Sequence, residues 1–202
     1  MFSKYCYHLT DRRNIKSIFE HKKLFSANSL KRLNGLKAND HLRRFQNRIF
    51  LKDGVYLNKQ IFIPEWGIEG DTNGFFVKLD SYVFFWNDFQ RKGKMQSSDG
   101  EYVCLKFLTE ELLRKYSSKV SVCEYNSGSF FQMYEPILKT KDEEAIRVEH
   151  PDMYKKKTYN KSSDIFIEYN NGNFSLSKKN AKVREILVEG EVDFSDMEMS
   201  VE

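Results

Sequence analysis

The 202 residues hold three cysteines, Cys6, Cys104 and Cys123, an odd count with no CxxC spacing. That excludes a disulfide framework and a zinc cluster, and the thiols are expected to behave as small buried hydrophobes. No stretch approaches the ~18 uninterrupted apolar residues of a membrane span, and charge arrives too early for a secretory signal. A soluble, cytoplasmic protein with no membrane partner is therefore expected. Repeats and low-complexity linkers are absent. No acid-rich D-x-D or E-x-K cluster stands in a strand context to hold Mg²⁺, which disfavours a metallonuclease, and no metal is expected. What remains, 40% hydrophobic and 15% aromatic, suffices for one well-packed domain and is short for two.

The net charge of +4 conceals an asymmetry. From Glu185 onward there are seven acids and no Lys or Arg, leaving 33 basic against 22 acidic side chains, or +11, in residues 1–184. Much of the excess falls between Lys31 and Lys52, where Lys31, Arg32, Lys37, Arg43, Arg44, Arg48 and Lys52 face the single acid Asp40. Such a segment attracts phosphate, because neutralising phosphates releases counterions. A solvated helix and loop would carry the same residues. Residues 191–202 read as an acidic tail, disordered or masking the basic surface, beyond a single domain at 1–190.

Along the chain, Tyr7-His8-Leu9-Thr10 reads as a short strand that feeds, through Asn14, an amphipathic helix with Ile15, Ile18 and Phe19 on one face. A second short helix over residues 28–33 stops at Asn34-Gly35. Lys52-Asp53-Gly54 marks a hairpin turn within residues 49–63. The run Tyr82-Val83-Phe84-Phe85-Trp86 is a buried strand by length and composition. Residues 101–107 form another, followed by a helix from an N-cap at Thr109 to about Tyr116. Further strands are expected at 120–125, 165–169 and 183–188, and a mobile insertion at 139–163. Helices first and strands after argue for an α+β fold with a mixed or antiparallel sheet.

Two residues stand out chemically. His8 sits where strand meets helix, and is either a hydrogen-bonded structural histidine or a ligand-orienting one. Glu185 alternates onto one face with Val183 and Leu187. It is either exposed on an edge strand or turned inward, where an ionised carboxylate is costly unless paired or used.

The segment Tyr7-His8-Leu9-Thr10…Asn14-Ile15-Lys16-Ser17-Ile18-Phe19…Leu24-Phe25-Ser26 resembles the start of DarT-type ADP-ribosyltransferases and of a related family of uncharacterised bacterial domains. Val83-Phe84-Phe85-Trp86 and Tyr125-Asn126-Ser127-Gly128-Ser129 resemble landmarks of the second family. Arg184-Glu185-Ile186-Leu187-Val188 is similar to the strand that carries the catalytic glutamate in DarT proteins. The resemblance implies an ADP-ribosyltransferase-like fold with N-terminal helices and two small mixed or antiparallel sheets forming an NAD cleft. It assigns His8 and Thr10 to nicotinamide and a ribose, Asn14 to NAD, and Glu185 to catalysis. Arg44, or next to it Arg43, would reach the pyrophosphate or the substrate. The arginine segment is shorter and differently spaced than in DarT, and Lys59-Gln60 stands where the related family often has an arginine-containing motif.

These residue types suit the chemistry. Breaking the nicotinamide–ribose bond builds an oxocarbenium-like charge that a nearby carboxylate stabilises, and arginine's fork suits a diphosphate. The resemblance implies NAD as co-substrate, and with it the basic body and the 30 aromatic residues point to a DNA or RNA base as acceptor. The resemblance also implies a toxin or phage-defence role with an antitoxin partner. The alternatives are a protein-directed ADP-ribosyltransferase and a non-enzymatic nucleic-acid-binding module.

Overall fold

The structure is a computed structural model that describes residues 2–36, 77–88, 102–124, 127, 165–176 and 181–202, with the backbone of residues 49–50, 56–57, 134–136 and 154–156. Strand β1 (Tyr5–Asp11) leads through a 3-10 turn at Arg12–Asn14 into helix α1 (Ile15–His21), then β2 (Lys23–Phe25) and α2 (Ala27–Leu33). Two short strands, β3 (Ile49–Phe50) and β4 (Tyr56–Leu57), pair as the hairpin expected there. There follow β5 (Tyr82–Trp86), β6 (Tyr102–Leu108), α3 (Thr109–Tyr116), β7 (Val120–Cys123), β8 (Tyr134–Pro136) and β9 (Tyr154–Lys156). The chain closes with β10 (Ile167–Glu168), β11 (Glu185–Glu189), β12 (Glu191–Asp193) and β13 (Met199–Val201).

Seven strands form one sheet in the order β10-β7-β11-β5-β1-β6-β13, and every pairing in it is antiparallel. The α+β class holds. The expected pair of small sheets is instead this one sheet, with two-stranded ladders β12-β2, β3-β4 and β8-β9 beside it among the described residues. One face carries the main core, where Cys6, Val83, Phe85, Leu105, Phe107, Val122, Ile186 and Val188 meet Ile18 of α1 and Leu112 of α3. The period-2 alternation of β1, β5, β6 and β11 delivers these side chains to the same face.

Local chemistry sets the element ends. Asp11 caps the 3-10 turn by accepting from the Arg13 backbone N–H at 3.0 Å, and Ser26 caps α2 by accepting from that of Ser29 at 3.2 Å. Gly35, at φ 71°, supplies the left-handed stop expected after α2. Helix α3 differs slightly from expectation. Leu108 is its N-cap, and Thr109 is the first helical residue.

Two expectations are overturned. Residues 191–202 are part of the fold, since β12 pairs with β2 and β13 with the edge of β6, while Val192 and Phe194 are buried in the core. Their acids are neutralised locally: Glu191 by Lys23 at 2.9 Å, Asp196 by Lys115 and Glu202 by Lys106 at 2.7 Å. Alternation explains it, because Val192 and Phe194 point inward while Glu191 and Asp193 point out. Lys31, counted above among phosphate-seeking bases, is fully buried, with its Nζ 2.5 Å from the buried Asp80 Oδ2. Asn28 completes this anchor, donating its backbone N–H to the Asp80 carbonyl at 2.8 Å and its Nδ2 to the Val77 carbonyl at 3.0 Å. The three cysteines are buried as expected, and burial pushes the Cys6 thiol up to about 12.

Removing one partner of a buried ion pair strands the other charge. Lys31→Met is expected to cost about 3–5 kcal/mol in urea unfolding. Combining it with Asp80→Leu should recover most of that loss, and a single variant as stable as wild type would contradict the buried pair.

Candidate functional site

The sheet is weakest at its centre. Seven residue pairs join β1 to β6 and five join β11 to β5, but β1 meets β5 at the single pair Tyr7↔Trp86. At one end of this seam Asn87 ties the strands together. Its Oδ1 accepts from the Ser3 backbone N–H at 2.9 Å, its Nδ2 donates to the Val183 carbonyl at 3.0 Å, and its backbone N–H donates to the Arg184 carbonyl at 3.0 Å. Toward the other end the strands part, and His8 Nδ1 donates to the Phe84 carbonyl at 2.9 Å. An unpaired backbone carbonyl in a sheet needs a donor, and here the imidazole supplies it.

This bond fixes the His8 tautomer. A carbonyl only accepts, so Nδ1 carries the hydrogen and the neutral ring keeps Nε2 as an acceptor. Desolvation lowers the pKa of His8 from the ordinary value, outweighing the opposing effect of the Phe84 bond, so the ring favours that neutral form. Nearby, the buried Asn14 donates from Nδ2 to the buried Thr10 Oγ1 at 3.3 Å. Asp11, also buried, receives Arg13 in a two-pronged ion pair at 2.8 and 2.6 Å. Sequence reasoning passed over that pair, although an acid at a strand end followed by Arg12-Arg13 was its visible signal.

Glu185 opens β11, an interior strand between β5 and β7, and only 3% of it is exposed. The edge-strand alternative is thereby set aside. Register places it across from Trp86 on one side and Cys123 on the other. Directly opposed residues share a face, so Tyr7, Trp86, Glu185 and Cys123 form one row. From Tyr7 to Glu185 is two strand spacings, about 10 Å. The chain beyond β7 folds back over this row: Ser127 donates its backbone N–H at 2.8 Å and its hydroxyl at 2.6 Å, both to Glu185 Oε2. Ser127 itself is buried. Its motif was visible in the sequence, its partner was not.

The structure therefore brings His8, Thr10 and Asn14 together along β1 and the start of α1. Along β1·β6, His8 lies across from the core residue Leu105, so the regular ladder puts it on the face opposite the Glu185 row. Strand β5, paired with β11 along its whole length, stands between them. Arg43 and Arg44 lie outside the described residues. Of the aromatic run, Phe85 belongs to the core, Trp86 is buried beside Glu185 and Phe84 is partly exposed. A cavity of about 580 Å³ lies elsewhere, lined by Phe2, Lys4, Thr109, Arg114 and Tyr169 among others, and includes none of the site residues expected from sequence.

Residues 4–197 match a family described as a family of unknown function (DUF7002). The chain belongs to that family. The match spans nearly the whole DUF7002 chain, including β1, the Glu185 strand and Ser127. No curated protein matches its sequence. Among solved structures, it is similar to DarT of Thermus sp. 2.9 in complex with NAD+, at 13% identity and a TM-score of 0.39. The same DarT in complex with ADP-ribosylated ssDNA gives 12% identity and a TM-score of 0.39. Each alignment covers 96% of this chain and 79% of that chain.

Because the folded state takes up the His8 proton at lower pH than the unfolded chain, stability is expected to fall as pH drops below ~6.5. Urea unfolding at pH 7.5 and 5.5 checks this, and His8→Gln should lose less stability between the two. Equal losses in both proteins would show that His8 is not held neutral.

Proposed function

We propose that the protein is an NAD-dependent mono-ADP-ribosyltransferase whose acceptor is a DNA or RNA base. The observation that carries this reading is the buried Glu185 carboxylate, gripped by Ser127 and set across from Trp86, the residue through which β5 pairs with β1. A carboxylate inside a sheet is costly to bury, and a structural position would be served as well by the leucine found two residues on. A charge kept there has a use.

The residues present fit a dinucleotide. His8 Nε2 is an acceptor suited to a ribose hydroxyl, and the Thr10–Asn14 pair offers hydroxyl and amide groups beside it. Arg44, or else Arg43, is proposed for the pyrophosphate. Cleavage of the nicotinamide–ribose bond sends its electron pair to the departing nicotinamide and leaves positive charge on the sugar. Glu185 stabilises that charge more in the transition state than in the ground state, which is what accelerates the step. The same carboxylate accepts the proton of the attacking base nitrogen or oxygen as the new glycosidic bond forms.

The net charge of +4 and the basic segment between Lys31 and Lys52 support a nucleic-acid acceptor, while Lys23, Lys106 and Lys115 are taken up by Glu191, Glu202 and Asp196. The resemblance of the N-terminal segment and the Glu185 strand to DarT-type enzymes extends the reading to a toxin-like effector held in check by an antitoxin.

Incubation with labelled NAD and separate pools of DNA, RNA and protein is expected to label a nucleic-acid pool. Glu185→Gln keeps an acceptor for Ser127 and removes the charge, so labelling should fall by roughly 10²–10⁴-fold with melting unchanged. Label on protein alone would favour the protein-directed enzyme. No label and no released nicotinamide would leave only the nucleic-acid-binding module.

A further inference from the structure

Glu185 has three rotatable side-chain bonds, and burial alone does not tell its carboxylate which way to face. Ser127 does. Its backbone N–H and its hydroxyl converge on the same oxygen, Oε2, at 2.8 and 2.6 Å, although the two residues are 58 positions apart. Short hydrogen bonds to an ionised acceptor are about twice as strong as neutral ones, and two of them on one oxygen fix the plane of the carboxylate. The arrangement follows from topology. Cys123, the last residue of β7, sits directly across from Glu185, the first of β11, and Ser127, four positions further on, meets the carboxylate at that strand end.

We infer that Ser127 is a positioning residue that holds Glu185 oriented and anionic, with Oε2 occupied by protein donors so that the carboxylate presents a fixed geometry to the sugar. This rests on the reading of Glu185 as the catalytic carboxylate. The hydroxyl contributes through Glu185 alone. It touches neither the dinucleotide nor the acceptor, so its loss lowers turnover without weakening NAD binding.

Ser127→Ala removes the hydroxyl and spares the backbone donor, and Ser127→Thr restores a hydroxyl. In Ser127→Ala, kcat is expected to fall roughly 10–100-fold, the worth of one hydrogen bond to a charged group, while KM for NAD changes less than about threefold. The acidic limb of its pH–rate profile should move to higher pH, and Ser127→Thr should recover most of the activity. A second readout needs no ligand: carboxyl-¹³C NMR of Glu185, assigned with Glu185→Gln, should titrate at higher pH in Ser127→Ala than in wild type. A wild-type protein that does not turn over NAD, but whose Glu185 titration still moves with Ser127→Ala, would refute the transferase reading and keep the orienting contact. An active wild type with unchanged kcat and unchanged titration in Ser127→Ala would overturn the inference alone, as would a Ser127→Thr variant no better than Ser127→Ala.

Discussion

One ladder pair, Tyr7 across from Trp86, joins the two halves of the central sheet, and side-chain bonds from Asn87 and His8 supply the rest of that junction. Both halves are well made. The β1-β6-β13 half is held by long ladders, and the β10-β7-β11-β5 half buries Val122, Phe85, Ile186 and Val188. Between them Asn87 closes one end of the seam through bonds to residues 3, 183 and 184, and His8 holds the other end open at a set width by capping the Phe84 carbonyl. A sheet that parts in this way gives up ladder hydrogen bonds, a cost that side chains must offset.

Buried charges around this design are compensated in different ways. Lys31 and Asp80 neutralise one another and lock α2 to residues 77–80, just ahead of β5. Asp11 is satisfied by the guanidinium of Arg13, which remains partly exposed, so the end of β1 turns into α1 at a fixed angle. Glu185 receives neutral donors from Ser127. An ion pair spends the charge of both partners on structure. The two Ser127 donors fix the direction of the Glu185 carboxylate.

Much of the fold was legible because its signals are local. Tyr82–Trp86 is a strand at the expected bounds, and α1, α2 and α3 follow the apolar spacing and turn residues that announce them. What escaped notice depends on partners distant in sequence. Nothing in Lys31 reveals Asp80, 49 residues later, so a buried lysine was grouped with solvated bases. The depth of Glu185 is set by β5 and β7 on either side, and without that pairing it reads equally as an edge residue. The 191–202 segment did carry a signal in the alternation of Val192 and Phe194 with acids, but its seven-acid context made it look like a tail. Of the two readings weighed for His8, the bond to the Phe84 carbonyl is the structural one.

A crystal structure of the protein soaked with NAD tests the central claim most directly. The account predicts the dinucleotide along the parting of β1 and β5, with a ribose hydroxyl on His8 Nε2 and the nicotinamide ribose beside the Glu185 carboxylate. NAD lodged instead in the cavity lined by Phe2, Lys4, Thr109 and Arg114, or no NAD bound at millimolar concentration, would contradict it.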